Sequence, residues 1–204
     1  MIRLTDTASL RVVTIDRPTR RNALRPSDLD ALEAAVTDTD AAVVYLRGAG
    51  DAFCAGADLD VVAGVDGAAR GGGVELALAC DLRVATPDAT FAEPGVKLGL
   101  FGAWGGTVRL SRVLREGDAM DFALSGRIVD AAEAKRIGLV SRVVSDPKTV
   151  AEEVAANEPD ALAVVKARMR DDSPRQVQAA AEATAFDRLV RAHAADIAAS
   201  RENE

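Results

Sequence analysis

Residues 71–82, with the sequence GGGVELALACDL, form the most informative segment of this 204-residue chain. Three consecutive glycines precede a run that favours a helix from Val74, although glycine loses much backbone entropy on folding. Such a triplet is typical of a turn that approaches a ligand closely and points free backbone N–H groups at negative charge. It could bind a phosphate, stabilise an oxyanion or form a plain tight turn. The spacing fits neither the dinucleotide-binding pattern nor the P-loop, which excludes those two sites.

Strand and helix patterns alternate on both sides of this segment. Strand-like runs occupy Leu10–Asp16, Ala41–Leu46, Val61–Val65 and Leu82–Ala85. Helical patterns begin at Pro26 and at Val74, between these runs. The alternation predicts an α/β fold with largely parallel strands.

After Gly106 the sequence becomes helical. The predicted helices are Val108–Leu114, Asp118–Leu124, Ala131–Ile137, Lys148–Ala156, Asp160–Arg170 and a long Pro174–Ser200. We therefore divide the chain into an α/β core over residues 1–140 and a helical C-terminal part over residues 141–204. The long last helix fits an assembly surface and simple packing on its own core equally well.

Composition excludes several classes of function. The net charge of −7 argues against nucleic-acid binding, which needs a basic surface. No apolar run is long enough to span a membrane, and charges interrupt the first fifteen residues, so we expect no signal peptide and a cytoplasmic protein. His193 is the only histidine, which rules out a multi-histidine metal site, and we expect no metal. Cys54 and Cys80 are interpreted as small buried apolar residues.

Several motifs, in order along the chain, resemble those of the crotonase (enoyl-CoA hydratase/isomerase) superfamily. They are Asp16–Pro18 with Arg20–Leu24, Phe53–Leu59, Gly71–Leu82, Phe91 with Pro94, Val96–Gly99, Gly105–Thr107, Leu124–Gly126 and Ala134–Val140. The resemblance covers essentially the whole chain. It implies a crotonase-like (ClpP/crotonase) spiral of ββα units, with a helical C-terminal trimerisation part, and hence a homotrimer or hexamer.

The resemblance also implies a substrate, a coenzyme A thioester, and no separate cofactor. The backbone N–H groups of Ala57 and Gly72 would form an oxyanion hole for the thioester carbonyl. Arg20 and Arg21 would approach the coenzyme A phosphates, although ordinary solvated surface is the alternative. The residues implied to contact coenzyme A or the acyl group are Arg20, Arg21, Ala23, Ala55, Gly56, Asp58, Leu59, Gly71, Pro94 and Gly95.

Glu75 matches one of the two catalytic glutamates of the hydratases. In the first turn of its helix, its carboxylate could exchange a proton with water or with the substrate carbon beside the thioester. The helix dipole alone would also favour a carboxylate there, so a structural role stays open.

The chain departs from the family pattern at two places. The second hydratase glutamate should follow Pro94, but that residue is Gly95. Glu93 is a candidate substitute, and an exposed rim carboxylate is its favoured interpretation. Only residues 59–71 separate Asp58 from Gly72, which leaves no room for the usual covering helix and predicts an open acyl pocket.

Trp104 could line or cap that pocket, or belong to the core. The leading hypothesis is an acyl-CoA enzyme that uses Glu75 for hydration, isomerisation, thioester hydrolysis or decarboxylation. The alternative is a non-catalytic acyl-CoA carrier or sensor. A third, purely structural subunit would explain the long helix but not the glycine triplet.

Overall fold

The computed structural model describes residues 2–50, 52–53 and 61–202. These residues fall into two compact units, Met1–Ala155 and Ala156–Glu204. The strands are β1 (Ile2–Asp6), β2 (Leu10–Ile15), β3 (Val43–Gly48), β4 (Val61–Val65), β5 (Ala68–Arg70), β6 (Leu82–Ala85), β7 (Thr90–Ala92), β8 (Val129–Asp130) and β9 (Arg142–Val143). All of them belong to the first unit.

The helices of the first unit are α1 (Pro26–Thr37), α2 (Gly72–Ala79), α3 (Gly106–Val113), α4 (Glu116–Ser125), α5 (Ala131–Ile137) and α6 (Lys148–Ala155). Short 3-10 helices form at Pro18–Arg20 and Pro94–Leu98. The second unit contains α7 (Pro159–Met169), α8 (Arg175–Ala192) and α9 (Ala194–Glu202). In the described part of the chain, no helix combines the length and the hydropathy needed to cross a bilayer.

A six-stranded sheet with the order β1-β2-β3-β4-β6-β9 organises the first unit. β1 is antiparallel to β2, and every later pair is parallel. Parallel strands are covered on both faces, which explains the nearly continuous burial along β3. The α/β class predicted from the sequence is therefore confirmed.

A second, three-stranded sheet carries the candidate site, and its strands were not predicted. β5 pairs in parallel with β7, and β7 pairs antiparallel with β8. These strands are two or three residues long, well below the usual strand length, so their alternation is too short to recognise. The core between the sheets and helices holds large buried side chains, among them Phe53, Leu76, Phe91 and Phe122.

Two boundaries differ from the sequence-based expectation. The first compact unit extends to Ala155 rather than to residue 140, because β9 joins the large sheet and α6 buries Val150 and Ala151. The predicted long helix over residues 174–200 is divided at His193 into α8 and α9. Within the second unit, Nε2 of His193 lies 2.9 Å from Oδ2 of Asp160, and this ion pair raises the pKa of the imidazole.

Candidate active site

The glycine triplet forms the turn between β5 and α2. Gly71 has φ +50° and ψ −118°, a conformation that residues with a Cβ rarely adopt. Its N–H donates to the carbonyl of Ala92 (3.0 Å), and its own carbonyl accepts from the N–H groups of Val74 and Glu75. Gly72 is the first residue of α2, and the first N–H groups of a helix have no partner within that helix. The Gly72 N–H is therefore one of the groups at the start of α2 that have no partner within the helix.

The other predicted donor, Ala57, lies outside the described residues. The same holds for Ala55, Gly56, Asp58 and Leu59, which were predicted to contact coenzyme A. The described segment that follows contains β4 and β5 and no helix between Val61 and Gly71. This part of the chain agrees with the expected lack of a covering helix.

Glu75 is buried in the first turn of α2, with 4% of its surface exposed. Its Oε1 accepts two backbone hydrogen bonds, from the N–H of Trp104 (2.8 Å) and the N–H of Gly106 (2.9 Å). A Cβ at Gly102 or at Gly106 would come within 3 Å of the Glu75 carboxyl group. The loop over residues 102–106 thus fits closely around this carboxylate. Sequence reasoning missed this function of the loop, although its glycine-rich composition was a signal.

Glu93 follows β7 and lies beside the glycine turn. Arg70 of β5 is the register partner of Ala92 in β7, so the next residues, Gly71 and Glu93, are neighbours across the pair. The favoured expectation of an exposed carboxylate is wrong, because only 7% of Glu93 is exposed. Its Oε1 is buried and has no hydrogen-bond partner within the described residues. Burial, together with the negative charge of Glu75, raises the pKa of Glu93 to about 8.

Gly95 occupies a position where a side chain fits poorly. Pro94 opens the 3-10 helix Pro94–Leu98, and the N–H of Leu100 donates to the carbonyl of Gly95 at 2.9 Å. A Cβ on Gly95 would lie 3.1 Å from the carbonyl oxygen of Leu100. A side chain at residue 95 would therefore require the Leu100 carbonyl to move by a few tenths of an ångström.

The predicted coenzyme A-binding residues near the N-terminus form one exposed turn. Arg20, Arg21 and Ala23 are exposed around buried Asn22. The Oδ1 of Asn22 accepts from the N–H of Arg17, and its Nδ2 donates to the carbonyls of Ala49 and Ala52. Asn22 was quoted within a motif but not selected as a site residue. It links the Arg20–Arg21 turn to the segment that leads into residues 54–60.

Trp104 is half-exposed at 47%, which excludes the interpretation as a core tryptophan. It stands in an apolar stretch of the first unit whose large side chains are exposed. These residues are Leu98, Leu100, Phe101, Trp104 and Val108. The stretch flanks the loop that binds Glu75, so apolar surface adjoins the carboxylate.

Comparison with known proteins gives a consistent result. The family model described as "Enoyl-CoA hydratase/isomerase" matches residues 59–200. A "Probable enoyl-CoA hydratase" of Rhizobium meliloti is 37% identical over 179 residues, which cover 72% of this chain and 70% of that protein. A probable enoyl-CoA hydratase of Mycobacterium bovis is 36% identical over 165 residues, and this chain spans only 64% of its length.

A solved structure extends the similarity over the entire chain. The crystal structure of an enoyl-CoA hydratase from Bacillus anthracis superimposes with a TM-score of 0.89 at 28% sequence identity. The match covers 100% of this chain and 96% of that structure.

Proposed function

Because the chain belongs to the enoyl-CoA hydratase/isomerase family, we propose that it binds an acyl-coenzyme A and activates its thioester for reaction. The observation that carries this proposal is the position of Glu75 one turn from the Gly71–Gly72 junction, held by two backbone N–H groups. The N–H groups of Gly72 and Ala57 are the proposed oxyanion hole. They would stabilise the enolate-like oxygen that forms when the thioester reacts.

The proposed acid/base group is Glu75. Both of its hydrogen bonds from Trp104 and Gly106 go to Oε1, so Oε2 receives none from the described residues. That oxygen is the one proposed to exchange a proton with water or with the substrate. The glycines at 102 and 106 support this assignment because they let the loop backbone approach Glu75, whose Oε1 is then held by two N–H groups. A fixed geometry favours proton transfer.

Other described residues support binding of the acyl chain and of the coenzyme A phosphates. The exposed apolar stretch from Leu98 to Val108 supports binding of an acyl chain, since apolar side chains bind such chains by removing them from water. The exposed guanidinium groups of Arg20 and Arg21 support binding of the coenzyme A phosphates. We keep the prediction that no further cofactor and no metal take part.

We further propose a homotrimer or hexamer, with the C-terminal helices at the subunit contacts. Large apolar side chains of α7 and α8 are exposed within the second unit: Val165, Met169, Val177, Phe186 and Val190. Such a surface supports association of subunits. Nucleic acid is not an expected partner, and the cytoplasmic location remains a prediction.

A second candidate function is a carrier or sensor that binds acyl-CoA without chemistry. The observation that favours it is Gly95, which provides no carboxylate at the second hydratase position and whose turn resists a side chain. Both candidates predict thioester binding, and they differ in whether Glu75 is needed for a reaction.

Calorimetric titration with crotonyl-CoA tests the shared proposal, and a protein that binds no thioester overturns it. The loss of the enoyl-thioester absorbance is then followed in the parent and in Glu75→Gln. This measurement separates the enzyme from the carrier. The amide oxygen of that variant can accept the same bonds from Trp104 and Gly106, so the loop is retained. An enzyme should lose at least about 100-fold in rate. Equal rates would remove Glu75 from the mechanism.

A further inference from the structure

We infer that Glu93 is the proton-donating group of this site, in place of the carboxylate that Gly95 does not supply. The inference rests on the proposed function, that an enoyl thioester binds beside Gly72. It adds a residue two positions before the one at which the second acid was expected, on the other side of Pro94.

The strand register places Glu93 at the oxyanion turn. β5 and β7 run in parallel, with Arg70 opposite Ala92, and the bond from Gly71 N–H to Ala92 oxygen continues the ladder beyond β5. Paired strands are about 4.8 Å apart. The backbone of Glu93 is therefore one strand spacing from the Gly71–Gly72 turn, and Glu75 follows in the next helical turn. The charge of Glu75 acts on Glu93, so the two carboxyl groups lie near each other beside this turn.

No hydrogen bond or salt bridge from the described residues compensates for the burial of the Glu93 carboxyl group. A buried carboxyl oxygen without a hydrogen-bond partner is rare, because its desolvation is not compensated. Oε1 of Glu93 is such an atom, and the salt bridges among the described residues do not include Glu93. A carboxyl group of this kind is suited to a partner that arrives with the substrate.

The charge around Glu93 favours its protonated form. The charged groups near it are Glu75 on α2, which opposes a second negative charge, and the exposed Lys97, which packs against Gly126 together with the Glu93 carbonyl. With burial, the result is a pKa of about 8, so Glu93 carries a proton at neutral pH. A carboxyl group that carries a proton, next to a second carboxyl group, is suited to proton donation.

The proposed step is the addition of water to the double bond of an enoyl thioester. The water oxygen forms a bond to Cβ, and the proton that water loses goes to Glu75. The π electrons of the Cα–Cβ bond move to Cα through an enolate whose oxygen accepts from the N–H group of Gly72. Glu93 donates its proton to Cα, which gives a 3-hydroxyacyl thioester. Return of one proton from Glu75 to Glu93 restores both groups, so no other reactant is consumed.

The test compares the parent, Glu93→Gln and a matched control, Glu33→Gln, whose side chain is exposed on α1. Crotonyl-CoA binding is measured by calorimetry and hydration by absorbance, each over a range of pH. Glu93→Gln is expected to bind crotonyl-CoA within about twofold of the parent and to lose at least about 100-fold in kcat. The kcat/KM of the parent and of Glu33→Gln should fall as the pH rises beyond about 8. A purely structural role for Glu93 would not produce this alkaline fall in kcat/KM, the alkaline limb of the pH profile.

The outcomes separate this inference from the proposed function. Unchanged kcat in Glu93→Gln, or a parent profile without the alkaline limb, overturns the role of Glu93 while thioester binding stands. A parent that binds crotonyl-CoA without hydrating it also overturns that role and favours the carrier. A parent that binds no thioester overturns the proposed function itself.

Discussion

The side-chain amide of Asn22 donates a hydrogen bond of 2.6 Å to the carbonyl of Ala52, 30 residues later in the chain. A second bond from the same Nδ2 goes to Ala49, and the Oδ1 accepts from Arg17. Asn22 is fully buried and has φ +57°, a left-handed conformation that asparagine tolerates better than most residues. One side chain therefore connects the Arg20–Arg21 turn to the end of the segment that precedes residue 54.

Replacement of Asn22 by Ala should lower the free energy of unfolding by about 2–4 kcal/mol. It removes three hydrogen bonds, one buried and two partly buried, and leaves their backbone partners without the Asn22 side chain. Urea denaturation measures the change. Asn22→Gly is the matched variant, since glycine keeps the left-handed backbone and still loses the side-chain bonds. If Asn22→Gly is as stable as the parent, the backbone conformation and not the hydrogen bonds explains this asparagine.

Glu93 should make the stability of the parent fall as the pH rises. Its pKa is raised from 4.5 in the unfolded chain to about 8 in the folded protein, so the folded state binds more protons between these values. The free energy of unfolding then decreases with pH, by at most about 1.4 kcal/mol per pH unit. Glu93→Gln lacks this titration. Its stability relative to the parent should therefore increase from pH 5 to pH 8, as measured by denaturant unfolding at each pH.

The same series with Glu33→Gln serves as the reference, because Glu33 is exposed. A constant difference between Glu93→Gln and the parent over this pH range would contradict the assigned protonation of Glu93.

Gly95 and Gly117 should respond in opposite directions to substitution by alanine. A Cβ at Gly95 would lie 3.1 Å from the Leu100 oxygen, whereas a Cβ at Gly117, within α4, meets nothing within 4 Å. We expect Gly95→Ala to destabilise by about 1–3 kcal/mol through overpacking. Gly117→Ala should stabilise by about 0.5–1 kcal/mol through helix propensity. Thermal or urea unfolding measures both.

Gly95→Glu extends this comparison to activity. Because the turn resists a side chain, we expect it to destabilise the protein without a large gain in hydration. A large gain without loss of stability would show that the turn can open, and that the site lacked only a carboxylate at this position.

Gly106→Ala should impair the reaction more than it impairs folding. The new Cβ would lie 2.9 Å from Oε1 of Glu75, so the carboxylate must move to relieve the contact. A misplacement of about 1 Å can reduce kcat by about 100-fold, and for this smaller shift we expect a loss of about 10-fold or more. The measurement is crotonyl-CoA hydration, with circular dichroism to verify the fold and Gly117→Ala as the control. Parent-like kcat would mean that the position of Glu75 is not critical.

Four strands of the large sheet (β2, β3, β4 and β6) and most helices were predictable because their patterns are local, whereas its edge strands β1 and β9 were missed. Val61–Val65 was predicted with the observed bounds, since an uncharged run between Asp60 and Asp66 leaves few alternatives. β5, β7 and β8 were missed because two or three residues carry no periodicity. Their pairing depends on contacts between distant segments, which a local pattern does not encode.

In the candidate site, too, some features could be predicted from the sequence and others could not. The glycine triplet and Glu75 could be selected from the sequence because a motif contains them. The burial of Glu93 could not be predicted, because it depends on the register between β5 and β7. The hydrogen bonds from Trp104 and Gly106 to Glu75 likewise depend on a loop that returns to α2 from 29 and 31 residues away.

The bond between Gly71 and Ala92 also limits how such a site can evolve. It holds the two strands in one register, and neighbouring residues on a strand point to opposite faces. A single-residue insertion between β6 and β7 that shifted this register would carry the acid to the far face of the sheet. The side of the sheet on which Glu93 lies therefore depends on the pairing of β5 with β7 as well as on the residue itself.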